Sequence, residues 1–482
     1  MPPSTPCSRR AEKGTPDDPG GAQRRGRAVI RLTWVQPEDL VGHELRQAAE
    51  DGRGALPEVA AVGDRWHAAG GHDAPPRAGA SPGPAPEELC ALAEGLLDEL
   101  AAIPSPLPEP SELDEIVASC PDWPALRPQA RPLTRPEAGR VRGAWWGRAA
   151  GCLLGKPVEK IPREGIRAIA EATGNWPIRG WFTAKGLPPE IAERWPWNRR
   201  SAGTSLAENI DGVPEDDDLN YALLALTVLE RHGRGFTTED VARTWLDALP
   251  AGRVFTAERA AYRNLLTGLE PPATAVHHNP FREWIGALIR ADVYGWANPG
   301  DPATAAAWAW RDARLSHTAN GIYGAMFAAA MCAQALVAGG VGEVIEAGLS
   351  VVPPGSRLAG AVRQAVADAA AEPDFERVAD RLHARHGHLH WVHTVNNAAL
   401  LAAALVHGAG DFAATVGAAV AGGWDTDSAA ATAGSIAGAL AGGVPGRWTT
   451  RDRLASSLPG FDGVSIESLA ARTLALGEED RR

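Results

Sequence analysis

Apolar positions recur at helical spacing through most of this chain, and regular alternation with period 2 is scarce. From residue 136 onward the chain is built of long Ala-, Leu- and Val-rich segments, with polar residues returning every three or four positions. The pattern predicts helices at 221–232, 303–315 and 397–406. Two further uncharged runs, 324–341 and 428–444, are rich in Ala and Gly rather than Leu, Ile or Phe. Such segments would insert poorly into a bilayer, whereas small residues let helices approach closely in a buried core. The expectation is therefore an all-α, compact multi-helix domain spanning 136–480, with no membrane partner.

The first 135 residues read differently. Residues 1–30 mix Pro, Gly and both charge signs, the composition of a disordered tail. Amphipathic stretches between 33 and 69 predict short helices. Between Gly71 and Pro136 the chain carries 14 prolines around one helical candidate at 86–103. That density forbids a long helix or a central strand, so 31–135 reads as a Pro-rich, loosely attached helical appendage with linkers.

Charge and cysteine usage then narrow the class. A formal net charge of −12 argues against a nucleic-acid or anionic-membrane partner, because those are met with a basic face. The five cysteines, Cys7, Cys90, Cys120, Cys152 and Cys332, form no CxxC pair and no regular spacing. That excludes a disulfide framework and a zinc knuckle and fits a reducing compartment. The first residues lack the apolar core of a secretory signal, so the expected location is cytoplasmic. Five histidines between His383 and His393 have no accompanying Cys, and a polar connection explains them as well as zinc does.

The chemistry concentrates in two carboxylate clusters, Asp216-Asp217-Asp218 and Asp425-Thr426-Asp427-Ser428, each opening an apolar run. A helix cap accounts for one Asp. It leaves the others repelling one another unless a cation neutralises them. Oxygen-only clusters suit hard divalent cations, and two of them carry charge enough for a binuclear site. The start of an EF-hand loop is excluded, since Tyr221 stands where the sharp turn needs Gly. The nucleophile loop of haloacid-dehalogenase-type enzymes is excluded too, because no β-branched strand precedes Asp425. The loop before the first cluster holds Trp176, Trp181, Trp195, Trp197, Arg199 and Arg200. These types stack bases and hold phosphates, but an ordinary hydrophobic loop cover is the commoner role for any one Trp, so none is assigned.

Four segments together resemble the ADP-ribosylglycohydrolase family, which includes the dinitrogenase reductase-activating glycohydrolases. They are residues 147–159, ending in Gly155-Lys156-Pro157-Val158-Glu159; Asp216-Asp217-Asp218-Leu219; Ser316-His317-Thr318-Ala319-Asn320-Gly321; and Gly422-Gly423-Trp424-Asp425-Thr426-Asp427-Ser428 with its small-residue helix. Order and separation match over about the last 340 residues. The resemblance implies two divalent cations, Mg²⁺ or Mn²⁺, held by Asp216, Asp217, Asp218, Asp425, Asp427 and Ser428. It implies Glu159 and Asp217 as catalytic, with Ser316, His317, Gly423 and Trp424 at the substrate. The implied activity is hydrolysis of the C1″ bond of ADP-ribose attached to a protein side chain or a small molecule. The sequence departs from the family pattern at Cys152, Asp216, Leu219 and Trp424, and a Trp in that last turn is expected to narrow the pocket. Two alternatives stay open: a catalytically silent ADP-ribose-binding or regulatory module, and a hydrolase of another ribosylated metabolite.

Overall fold

The computed structural model describes residues 32–75, 83–125 and 135–476; the expected tail at 1–30 lies outside them. Among the described residues the regular structure is all helical, with no strand and only isolated bridges such as Val213 with Leu454. The expected all-α class holds. The periodic segments form helices Asp217–His232, Pro302–Ala313 and Thr394–Gly408. The small-residue runs form Ala319–Ala335 and Thr426–Ala441, which are buried almost throughout.

One helix pair organises the body. Helix Arg135–Gly155 packs along Thr426–Ala441 with glycine at every fourth position, Gly143, Gly147, Gly151 and Gly155. A Cβ on any of the four would overlap a backbone carbonyl of the partner helix, at Gly438, Gly434, Ala430 and Thr426 in turn. The two backbones therefore lie in direct contact, and Thr426 Oγ1 donates to Gly155 O at 2.9 Å where they meet the site. Missing side chains give the close approach here, and the dispersion contacts of two backbones hold it.

The N-terminal segment differs from the loose attachment expected. Helices Pro37–Glu50, Pro57–Ala68 and Glu87–Ala101 enclose a second apolar core whose members include Ala257, Phe281 and Trp284 of the body. Part-buried ion pairs reinforce it: Arg282 with Glu44 at 2.7 Å and Asp51 at 3.3 Å, and Arg357 with Glu109 at 2.6 Å. The prolines punctuate short helices, and the charges that dock them are paired over more than 200 residues, so neither effect leaves a local pattern.

Candidate metal and substrate site

The first cluster sits where a loop turns into a helix. Asp216 is the N-cap of Asp217–His232, and its carboxylate accepts from the Asp218 amide at 3.0 Å. The same side chain is ion-paired with Lys156, which also donates to Glu215 O at 2.8 Å. Asp216 is thus already satisfied as a cap and as a counter-ion. Asp218 is different: it is 1% exposed, and neither of its carboxylate oxygens has a hydrogen-bond partner. Its nearest cation is Arg148, 3.5 Å away and shared with Asp292. Arg148 also donates to the Asp218 carbonyl at 2.9 Å through Nε, which fixes the helix start against the glycine-bearing helix.

The second cluster faces the first. Asp425 occupies the N-cap position of Thr426–Ala441 without a capping side-chain bond, and its amide donates to Asn397 Oδ1 at 3.2 Å. Asp427 is buried with Oδ1 unpartnered. Glu159 follows the glycine-bearing helix. It accepts from Asn198 Nδ2 at 2.7 Å and pairs with Lys160 at 3.0 Å.

Charge crowding marks the ensemble. Burial first, then the neighbouring carboxylates, pushes Asp217, Asp218 and Asp425 well above the usual carboxylate range. Burial and Glu159 raise Asp427 to about 7. Asp216 alone goes down: burial opposes its ionisation, but the Lys156 ammonium outweighs it. Buried carboxylates this close are costly without a compensating cation. The donor set is oxygen-rich, with orphaned buried oxygens on Asp218 and Asp427, and it fits hard divalent cations. Cys152 adds a thiol whose sulfur lies within 4.8 Å of oxygens of Asp216 and Asp218. Burial and Asp216 push that thiol well up, so it stays protonated, a poor ligand for a hard ion.

The carboxylates open into a cavity of about 760 Å³ lined by Lys156, Glu159, Asp216, Asp217, Asp425, Asp427 and Ser428. The geometry thereby joins most of the residues chosen from the sequence. Asp218 is buried beside Asp216 without lining the cavity, and Ser316, His317, Gly423 and Trp424, the expected substrate contacts, do not line it either. Ser316 and His317 are buried, hydrogen-bonded to each other at 2.8 Å, and Arg290 donates to Ser316 at 2.9 Å behind the cavity wall. Gly423 takes a φ of 72° with its Cα against Arg163. Trp424, expected to narrow the cavity, does not line it and stacks on His383 at 4.2 Å. The histidine run forms no cluster either: His383 donates to Gly422 O at 2.7 Å, His390 stacks on Trp284 at 4.0 Å and His393 caps the next helix.

Other cavity residues escaped the sequence reading. Arg199 and Arg200 line it from the Trp- and Arg-bearing loop, where residue type gave a hint. Arg253, Phe255, Tyr221, Trp284 and Trp391 line it from scattered positions with no local signal.

The sequence model of the ADP-ribosylglycohydrolase family matches residues 134–482. This chain belongs to the ADP-ribosylglycohydrolase family. As a member of it, the chain is a glycosidase-type hydrolase. Among solved structures, one described as an ADP-ribosylglycohydrolase-related protein complex is similar at 23% identity, with 72% of this chain and 99% of that chain covered and a TM-score of 0.43. No curated protein matches the chain. Among the described residues no helix is long and apolar enough to cross a membrane.

Proposed function

We propose that this ADP-ribosylglycohydrolase-family member is a cation-dependent enzyme that hydrolyses the C1″ bond of ADP-ribose joined to a protein side chain or a small compound. One observation carries the reading: Asp216 and Asp217 of one cluster, Asp425 and Asp427 of the other, and Glu159 line one cavity, with an orphaned oxygen on Asp427 and Asp218 buried beside Asp216. Asp217, Asp218, Asp425, Asp427 and Ser428 would hold two divalent cations, Mg²⁺ or Mn²⁺. Asp216 would take part through its cap and its Lys156 pair. Bound there, the cations would supply Lewis-acid polarisation and a grip on vicinal ribose hydroxyls.

The chain's own groups do the rest. Glu159, steadied by Asn198 and Lys160, faces the cavity and moves a proton to or from the attacking water or the leaving group. The surrounding negative charge stabilises an oxocarbenium-like transition state. Arg199, Arg200 and Arg253 offer planar donors to phosphate oxygens. We place the catalytic unit at 136–480 and the protein in the cytoplasm, in keeping with five cysteines scattered without regular spacing.

The test is release of free ADP-ribose from Arg-, Ser- and Cys-linked ADP-ribosyl peptides and ADP-ribose 1″-phosphate, with Mg²⁺, Mn²⁺ or EDTA. We expect release that needs the cation and falls by at least ~100-fold in Asp427→Ala, the scale set by losing a ligand to the reacting centre. Binding of ADP-ribose with no release from any linkage would replace the enzyme with a silent binding module. Turnover confined to other ribosylated metabolites would replace the substrate.

A further inference from the structure

The wall of the catalytic cavity is not built from the family region alone. Thr33 and Trp34, far upstream of the matched residues 134–482, line the same cavity as Asp216, Asp217, Asp425 and Asp427. Trp34 has a φ of 70°, a left-handed conformation that bulky aromatic residues rarely adopt. Strain of that kind persists where the surroundings enforce it, and it concentrates at functional sites.

The enforcing contacts are specific and come from the body. Arg259 Nη1 donates to Thr33 Oγ1 at 2.8 Å and to Thr33 O at 3.2 Å, and Arg263 Nη1 donates to Val35 O at 3.3 Å. The Trp34 ring meets Phe281 edge-on at 5.3 Å and Trp284 at 6.0 Å. It is half-buried, and Trp284 and Trp391 continue the aromatic surface along the cavity. Two polar groups on this wall, the Tyr221 hydroxyl and the Trp391 indole Nε1, are buried without a hydrogen-bond partner. Arg199, Arg200 and Arg253 line the same cavity. An aromatic face, orphaned polar groups and guanidinium groups together suit a planar heteroaromatic ring carried on phosphate.

We infer that the N-terminal segment completes the substrate cavity, with Trp34 as the residue that contacts the flat aromatic ring of the substrate and so determines specificity. The inference rests on the proposed function. It makes the segment upstream of the family region a part of the active site instead of a linker or a separate docking module.

The test uses the full chain as wild type, Trp34→Leu and Trp34→Phe. Binding of ADP-ribose and of ribose 5-phosphate is measured by calorimetry, beside the steady-state kinetics of whichever ADP-ribosyl linkage is cleaved. Melting curves confirm that each variant is folded. Loss of one base-aromatic contact predicts that Trp34→Leu raises Kd and KM for the ADP-ribosyl ligand about tenfold or more. It should leave kcat within about twofold, because a contact equal in ground and transition states moves KM. Affinity for ribose 5-phosphate, which has no base, should not change, and Trp34→Phe should restore most of the loss. Equal weakening of both ligands, or no change in either, overturns the inference while the hydrolase reading stands. A wild-type chain that neither binds nor cleaves any ADP-ribosyl compound overturns both.

Discussion

Glu50 ends the first described helix with its side chain 5% exposed and His393 Nε2 3.7 Å away. Burial, only partly opposed by Arg46 and reinforced by Glu283, raises its carboxyl to about 8 from an ordinary 4.5. Below pH 4.5 the group is protonated folded or unfolded and has no effect on stability relative to that state. Between 4.5 and 8 the folded chain holds a proton that the unfolded chain has released, so stability falls as pH rises. Glu50→Gln removes this slope. It should match wild type near pH 4.5 and exceed it by a few kcal/mol, on the order of the shift, at pH 8. Urea midpoints at pH 5, 7 and 8 read the difference, and parallel pH profiles for the two proteins would refute the account.

At the scale of elements, the site depends on two helices whose backbones touch. The turn bearing Lys156 and Glu159 extends from one, and Asp425 and Asp427 open the other. Any added side chain at the contact must push the helices apart. Gly147→Ala should therefore cost about 1–3 kcal/mol as overpacking, and should weaken Mg²⁺ binding because the two carboxylate clusters separate. Gly139→Ala is the control on the same helix: its Cβ would meet Gly442 O at 3.9 Å, an ordinary contact. We expect that variant within about 0.5 kcal/mol of wild type. Denaturation and calorimetry on both variants give the answer, and equal effects would remove the close-contact explanation.

The whole molecule is held together by charges as well as by its second apolar core. Arg282 is buried between Glu44 and Asp51, with Arg53 pairing to the same two acids. Its removal leaves Arg53 as the cation shared by both buried carboxylates, a loss of charge-assisted hydrogen bonds that typically costs about 1.5–3 kcal/mol. Arg282→Ala should accordingly lower the stability of the entire chain. Far-UV circular dichroism and tryptophan fluorescence should follow one coincident transition. Separate transitions for the N-terminal helices and the body would show that they fold independently. The sequence by itself determined the helical class, the family and the carboxylate-led helix starts at Asp216 and Asp425. Apolar periodicity, capping and adjacent like charges are local properties, legible within a few residues. Only the tertiary structure decided that Lys156 occupies Asp216, that Ser316, His317, Gly423 and Trp424 lie outside the cavity lining, and that Trp34, Trp284 and Trp391 share its wall. Those outcomes depend on which backbones can touch and which distant charges pair, and such long-range complementarity leaves no periodic trace along the chain.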